Sequence, residues 1–318
     1  MSNAIAILLA LAPIFFALAL GYGAGRRRMV DNHNVDSLNT LVMSFALPAS
    51  LFAATASAPR SEMLAQAPLY AILGGVMLAV FLAWYFASTL ILKESKANAS
   101  LQALTIAFPN LAGVGLPIMS ATVGPSGTVP LAIALASGSI IVSPLALIIV
   151  EMSAGTKAGT AQKPAARVLN AVWHALTKPV VLAPALGVLF SLCGLKTGAV
   201  IEACLLLIGA TAPGVALFLT GLILSSQSFR LDWKIVGATA MADIIRPLLA
   251  AAVAFSLPIP VETARIAVLL ATVPSGFFGI LFAVNYRLDP AAEGSMVTAS
   301  IMFSIVTMAI AIAMLFPR

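Results

Sequence analysis

Charge is scarce in this chain. Only 9% of its 318 residues are Asp, Glu, Lys or Arg and 61% are hydrophobic, whereas a soluble domain carries roughly 25% charged residues. That balance, with a mean hydropathy of +1.07, excludes an ordinary soluble domain and marks an integral membrane protein. Cysteine is scarcer still. Cys193 and Cys204 lie in separate apolar stretches and form no CxxC pair, so a disulfide framework is excluded and both read as inert buried thiols. The two histidines, His33 and His174, have no metal-ligand company, so no metal site is expected. GxSxG, HExxH and GxxxxGK[ST] are all missing. The "GYGAG" at 21–25 ends an apolar run and lacks the strand–helix setting of a nucleotide loop; close helix packing explains it better.

What is present is apolar sequence in long runs. A membrane-spanning helix needs about 20 apolar residues, and about ten fit here. The runs fall near 4–24, 36–56, 67–92, 98–122, 128–152, 176–195, 199–226, 233–257, 262–285 and 293–316, and are numbered here as spans one to ten. A polar stretch, "SAGTKAGTAQKPAARVLN", follows span five and reads as a cytoplasmic linker. The first apolar run is followed by "RRR" rather than preceded by charge, the reverse of a signal peptide; it is expected to remain as a span with the N-terminus outside the cytoplasm. Ten spans return the C-terminus to the same side. Twelve of the 17 basic residues, among them Arg26, Arg27, Arg28, Lys93, Lys234 and Arg287, then face the cytoplasm, as the positive-inside rule requires. That bias accounts for the net charge of +6, and no nucleic-acid partner is implied. Glu151 and Glu202 fall near span ends and read as interfacial.

Prolines reveal a repeat. Pro48 in "LVMSFALPASLFAAT" and Pro213 in "LLIGATAPGVALFLT" are 165 positions apart, as are Pro109 in "LTIAFPNLAGVG" and Pro274 in "VLLATVPSGFFG". Spans one to five map onto six to ten. Because five is odd, the second copy must be inverted in the bilayer, a mark of secondary transporters. The domains are thus a first five-helix repeat over 1–153, a linker over 154–172 and an inverted repeat over 173–318. The fold class is all-α integral membrane, with broken helices four and nine crossing.

A mid-helix proline removes an N–H and displaces the carbonyl four residues back, that of Thr105 for Pro109 and Leu270 for Pro274. Such carbonyls need partners in hydrocarbon, and half-helix N-termini attract anions. Matched breaks therefore point to a midplane site, with Asn110 and Ser275 offering side-chain hydrogen bonds. A packing kink is the plainer reading, and it suits the isolated Pro13, Pro144 and Pro184. Span eight adds Asp243 and Arg246, one helical turn apart on one face. Arg246 suits a substrate carboxylate, and Asp243 a coupling proton or cation; a buried structural ion pair is the alternative.

The stretch "LAPIFFALALGYGAGRRRMVDNHNVDSLNTLVMSFALPASLF" resembles the auxin efflux carrier family, most closely its bacterial branch of malonate transporters. "FPNLAGVGLPI" is similar to that family's broken fourth span. The resemblance implies two inverted five-span repeats and a homodimer built on spans one, two, six and seven. It further implies an elevator-like mobile domain, residence in a bacterial inner membrane and an organic anion as substrate. By resemblance and by the matched breaks, the substrate-binding set is Pro109, Asn110, Gly113, Pro117, Pro274, Ser275, Gly276 and Arg246, with Asp243 coupling. Plant members tend to carry asparagine in the second crossover, where this chain has Ser275. It also lacks their long central loop. The expected function is secondary transport of a malonate-like carboxylate without a cofactor other than a coupling proton or sodium. A sodium-coupled bile-acid-type symporter is the nearest alternative, and a channel or a non-transporting sensor stands further off. An intramembrane enzyme is disfavoured, because Asp243 has no acidic partner at comparable depth.

Overall fold

The computed structural model describes residues 3–32, 35–115, 118–119, 122–157, 164–226 and 231–316. His33 and Pro117 therefore lie outside the described residues, as do parts of the linker. The described chain is helical, with no strand among the described residues. The first helices are α1 (Asn3–Arg26), α2 (Asp36–Leu41), α3 (Leu47–Ala56), α4 (Arg60–Ala65), α5 (Ala67–Leu90) and α6 (Lys96–Ala107). They are followed by α7 (Thr128–Ser137), α8 (Ser143–Lys157), α9 (Pro164–Leu176), α10 (Pro179–Leu192), α11 (Ala199–Gly209) and α12 (Ala212–Ser226). The last are α13 (Trp233–Ala240), α14 (Arg246–Ser256), α15 (Val261–Ala271), α16 (Phe278–Asn285) and α17 (Ala291–Leu315).

Among the described residues, six helical stretches are long and apolar enough to cross a membrane: Asp36–Ala56, Ala67–Leu90, Thr128–Ser153, Ala199–Ser226, Trp233–Ser256 and Ala291–Leu315. A seventh arises if Val168–Leu176 and Pro179–Leu192, bent by 66° at their junction, are counted as one. The polar stretch read as a linker is thus partly helical: α9 begins at Pro164, which suits proline's fixed φ at a helix start. Its exposed Leu169 and Trp173 lie four apart on one face.

Proline also explains the three five-residue π turns inside the long helices. Val42–Ala46, Gly138–Val142 and Met241–Ile245 each run directly into a segment with proline at its second position: Pro48, Pro144 and Pro247. A wider π turn moves the facing carbonyl away from the pyrrolidine ring without ending the helix.

Glycine sets the closest helix contacts. α1 lies along α12, and a Cβ on Gly21 would fall 1.9 Å from the Phe218 carbonyl oxygen, one on Gly221 2.1 Å from that of Leu18. α10 lies along α3 in the same manner: a Cβ on Gly187 would meet Thr55 Oγ1 at 1.9 Å, and Ser191 Oγ donates to the Ala58 carbonyl at 2.6 Å. Lipid supplies no hydrophobic drive between helices, so backbone approach of this kind stabilises the pairs. Cys193 and Cys204 are exposed rather than buried: Cys193 caps the end of α10, and Cys204 lies on α11, which turns apolar residues such as Val200 and Leu207 outward.

At one end, Tyr286 donates to Glu151 Oε1 at 2.6 Å. Burial and the neighbouring carboxylate hold its phenol above its ordinary range. The Lys178 ammonium stands 5.1 Å from the ring centroid, and His174 lies 3.9 Å from Glu151.

Gly221→Leu should force α1 and α12 apart, at a cost of about 1–3 kcal/mol or more. A lower apparent melting temperature in detergent, relative to wild type and to a Gly23→Leu control, is the expected outcome. Gly23 is the apt control because a Cβ there meets nothing within 4 Å.

Candidate functional site

Both predicted breaks are present, and they meet. α6 starts at an N-cap, Ser95, whose hydroxyl accepts from the Asn98 N–H at 3.2 Å. It stops at Phe108, which is extended (φ −97°, ψ 104°) because a residue preceding proline is pushed out of the helical region. A π turn, Leu111–Gly115, resumes beyond the break. α15 stops at Ala271 and α16 starts at Phe278, with Pro274 between them. The two interruptions pair as an isolated antiparallel bridge between Pro109 and Ser275.

The hydrogen bonds at this crossing are largely main-chain. Asn110 N–H donates to the Pro274 carbonyl at 2.8 Å. Gly276 N–H is shared between the carbonyls of Phe108 at 3.0 Å and Thr105 at 3.1 Å. Thr105 is the residue whose carbonyl Pro109 displaces, so the second break supplies the donor the first one lacks. Gly276 must be glycine for this approach: a Cβ there would lie 2.3 Å from the Phe108 oxygen. Phe108 and Phe278 stack across the crossing at 4.8 Å and 7°. Gly113 N–H donates to Asn110 Oδ1 at 3.0 Å, so the asparagine caps the resumed helix.

Arg246 is buried beneath the crossing. Its Nε donates to the Ala271 carbonyl at 3.1 Å, its Nη1 to that of Ile106 and its Nη2 to that of Val273. One guanidinium thus holds the C-terminal carbonyls of α6 and α15, where the helix dipoles concentrate negative charge. Ile106 and Ala271 are themselves 165 positions apart. Asp243, one turn earlier, accepts from Ser300 Oγ at 2.8 Å through Oδ1. That hydroxyl in turn accepts from the Ser275 N–H at 2.8 Å. The chain Asp243–Ser300–Ser275 therefore links α17 and the π turn of span eight to the second break. Sequence reasoning missed Ser300; its signal was a small polar residue inside an apolar run.

Three polar atoms here are buried without a hydrogen-bond partner: Asn110 Nδ2, Ser275 Oγ and Asp243 Oδ2. Such orphans are costly in a finished core. A cavity of about 520 Å³ lies between α3, α7 and the junction of α11 and α12. Ser50, Ala112, Thr128, Leu206 and Pro213 are among the residues that line it. Ala112 belongs to the resumed part of the first broken helix. The geometry thus gathers Pro109, Asn110, Gly113, Pro274, Ser275, Gly276, Asp243 and Arg246 around one crossing.

Arg246→Ala would leave three buried carbonyls without their donor and Asp243 without its nearby cation. Breaking a buried charged contact on one side costs about 3–5 kcal/mol. The expected result is a large fall in thermal stability, recovered only in part by Arg246→Lys, which cannot reach three carbonyls with a planar fork. Melting curves of the purified variants check this.

Comparisons with known proteins identify the family. The family described as "Membrane transport protein" matches residues 6–312. The chain is 27% identical over 299 residues to the protein named "Uncharacterized transporter YfdV" of Escherichia coli K12, covering 93% of this chain and 94% of that protein. The proteins of that name from Escherichia coli O157:H7 and Shigella flexneri match to the same extent. With its family profile spanning nearly the whole chain and its apolar helices in place, the protein belongs to the membrane transport protein family, the auxin efflux carrier family.

Proposed function

We propose that this protein is a secondary transporter of a small organic anion, malonate or a similar carboxylate, working by elevator-type alternating access. The observation that carries this reading is the clasp of two broken helices at Pro109 and Ser275, with Asn110 Nδ2 and Ser275 Oγ buried there without a hydrogen-bond partner. Broken helices at the midplane are how transporters expose backbone and polar groups to a solute. Asn110 Nδ2 is a donor suited to a carboxylate, and the Ser275 hydroxyl serves either sign. Arg246, by its three carbonyl bonds, acts as the positioning residue that fixes both breaks. Asp243, with one oxygen free of partners, is the group that binds the coupling proton or sodium.

Ten spans in two inverted five-helix repeats, over 1–153 and 173–318 with a linker at 154–172, form the scaffold of this reading. The pairing of helices supports it. α1 against α12 and α10 against α3 join span one to span seven and span six to span two, which are equivalent contacts under the 165-residue offset. These four spans form the fixed part and, with a second copy, a homodimer. The spans that carry the crossing form the moving part. With the arginine-rich end of span one in the cytoplasm, both termini lie on the outer side of the inner membrane.

Uptake of radiolabelled malonate into proteoliposomes tests the reading under an imposed pH gradient, a sodium gradient or neither. Uptake that follows one gradient and saturates is expected, with Asn110→Ala and Ser275→Ala each lowering it about tenfold or more, the scale of one lost hydrogen bond to a charged group. Uptake driven by sodium alone would favour the bile-acid-type mechanism. Malonate flux that is untouched in both variants would remove the crossing as the site.

A further inference from the structure

Asp243 is not the only buried carboxyl in the second half. Glu293 sits in the first turn of α17 and is 2% exposed, with Oε2 lacking any hydrogen-bond partner. The charged groups acting on it are Lys234 on α13, Asp289 just before α17 and Glu94 after α5. Lys234 is already paired with Glu94. The cation near Glu293 is thus already committed to Glu94, and Asp289 adds a second negative charge beside it. Burying an uncompensated carboxylate is costly enough that such a group exchanges its charge for a proton.

The other helices packed against α17 supply no alternative partner. Arg26 on α1, Lys96 on α6, and Glu262 and Arg265 on α15 are exposed; α12 and α16 carry no charged residue. Arg287, in the turn before α17, is exposed too. Arg246 on α14 is committed to three carbonyls.

Glu293 is also in register with the crossing. Glu293 and Ser300 are seven residues apart, two turns along one face of α17, or about 10 Å. Lys234 and Asp243 are nine residues apart, about 13 Å of helix rise, along the stretch that α17 packs against. One end of this pair of helices thus presents Glu293 beside the partly exposed Glu94–Lys234 pair. The deeper end presents Ser300 hydrogen-bonded to Asp243.

We infer that Glu293 is a second proton-binding carboxyl, which exchanges the coupling proton between Asp243 and the aqueous phase beside Glu94 and Lys234. The inference rests on the proposed coupling role of Asp243. In the step, the O–H bond at Asp243 Oδ2 breaks, the proton crosses a short file of water, and an O–H bond forms at Glu293 Oε2. Release to bulk water next to Lys234 resets the carboxylate, and no electrons change hands.

Infrared difference spectra recorded across a pH titration test this on protein in liposomes, with no substrate required. Wild type should show a buried carboxylic C=O band that titrates; Glu293→Gln should lose it, and Glu293→Asp should keep it at a shifted frequency. A Glu293→Gln spectrum identical to wild type overturns the inference, and the Glu293→Asp variant keeps the test decisive if the glutamine protein folds poorly. In malonate proteoliposomes, Glu293→Gln should lose uptake driven by a pH gradient while malonate-for-malonate exchange, which moves no net proton, survives. Unaltered gradient-driven uptake in that variant also overturns it. If the Glu293 band is present but Asp243→Asn still shows gradient-driven uptake, Glu293 stands as a proton site and the role given to Asp243 falls.

Discussion

One guanidinium under the crossing of two broken helices is the contact on which the rest depends. Each break exposes carbonyls that water cannot reach and that a continuous helix would have satisfied. Arg246 collects them from Ile106, Ala271 and Val273, and in doing so ties the first half of the chain to the second. Its positive charge meets the negative ends of two helix dipoles as well as Asp243. A charge that would be prohibitive on a lone span is thus stabilised by the defect it repairs. Without it the two prolines would be two separate weaknesses.

The crossing brings equivalent positions together but is asymmetric in chemistry. Pro109 and Pro274, Asn110 and Ser275, and Ile106 and Ala271 correspond under one offset. The positions that correspond to Asp243, Arg246 and Ser300 are Leu78, Phe81 and Leu135. The second half alone therefore brings the ionisable groups of the crossing, Asp243 and Arg246.

The helices elsewhere serve to hold this defect in place. Pro48, Pro144 and Pro247 are absorbed by π turns rather than by breaks, and Pro13 and Pro184 sit inside continuous helices. Glycine contacts lock α1 on α12 and α10 on α3, which leaves a cavity of about 520 Å³ on the side where Ala112 faces α3 and α11.

Much of this was legible in the sequence. The apolar runs fix helix positions because hydrocarbon demands internally satisfied backbone. The offset of 165 between the prolines set the two breaks in equivalent positions, and a proline's missing N–H located both of them, including the displaced carbonyl of Thr105. Local rules also erred in instructive places. Cys193 and Cys204 looked buried because apolar sequence faces lipid as readily as protein, and the start of α9 was hidden in a polar stretch. The partners were decided only in three dimensions. Arg246 and Asp243 were visible as costly charges, but nothing local could say that the arginine would bind backbone rather than a carboxylate. Nor could it say that Ser300, 57 residues from Asp243, would bridge to Ser275. Composition and periodicity determine what a segment must bury; which distant group satisfies it depends on how the helices cross, and that is a property of the packed bundle alone.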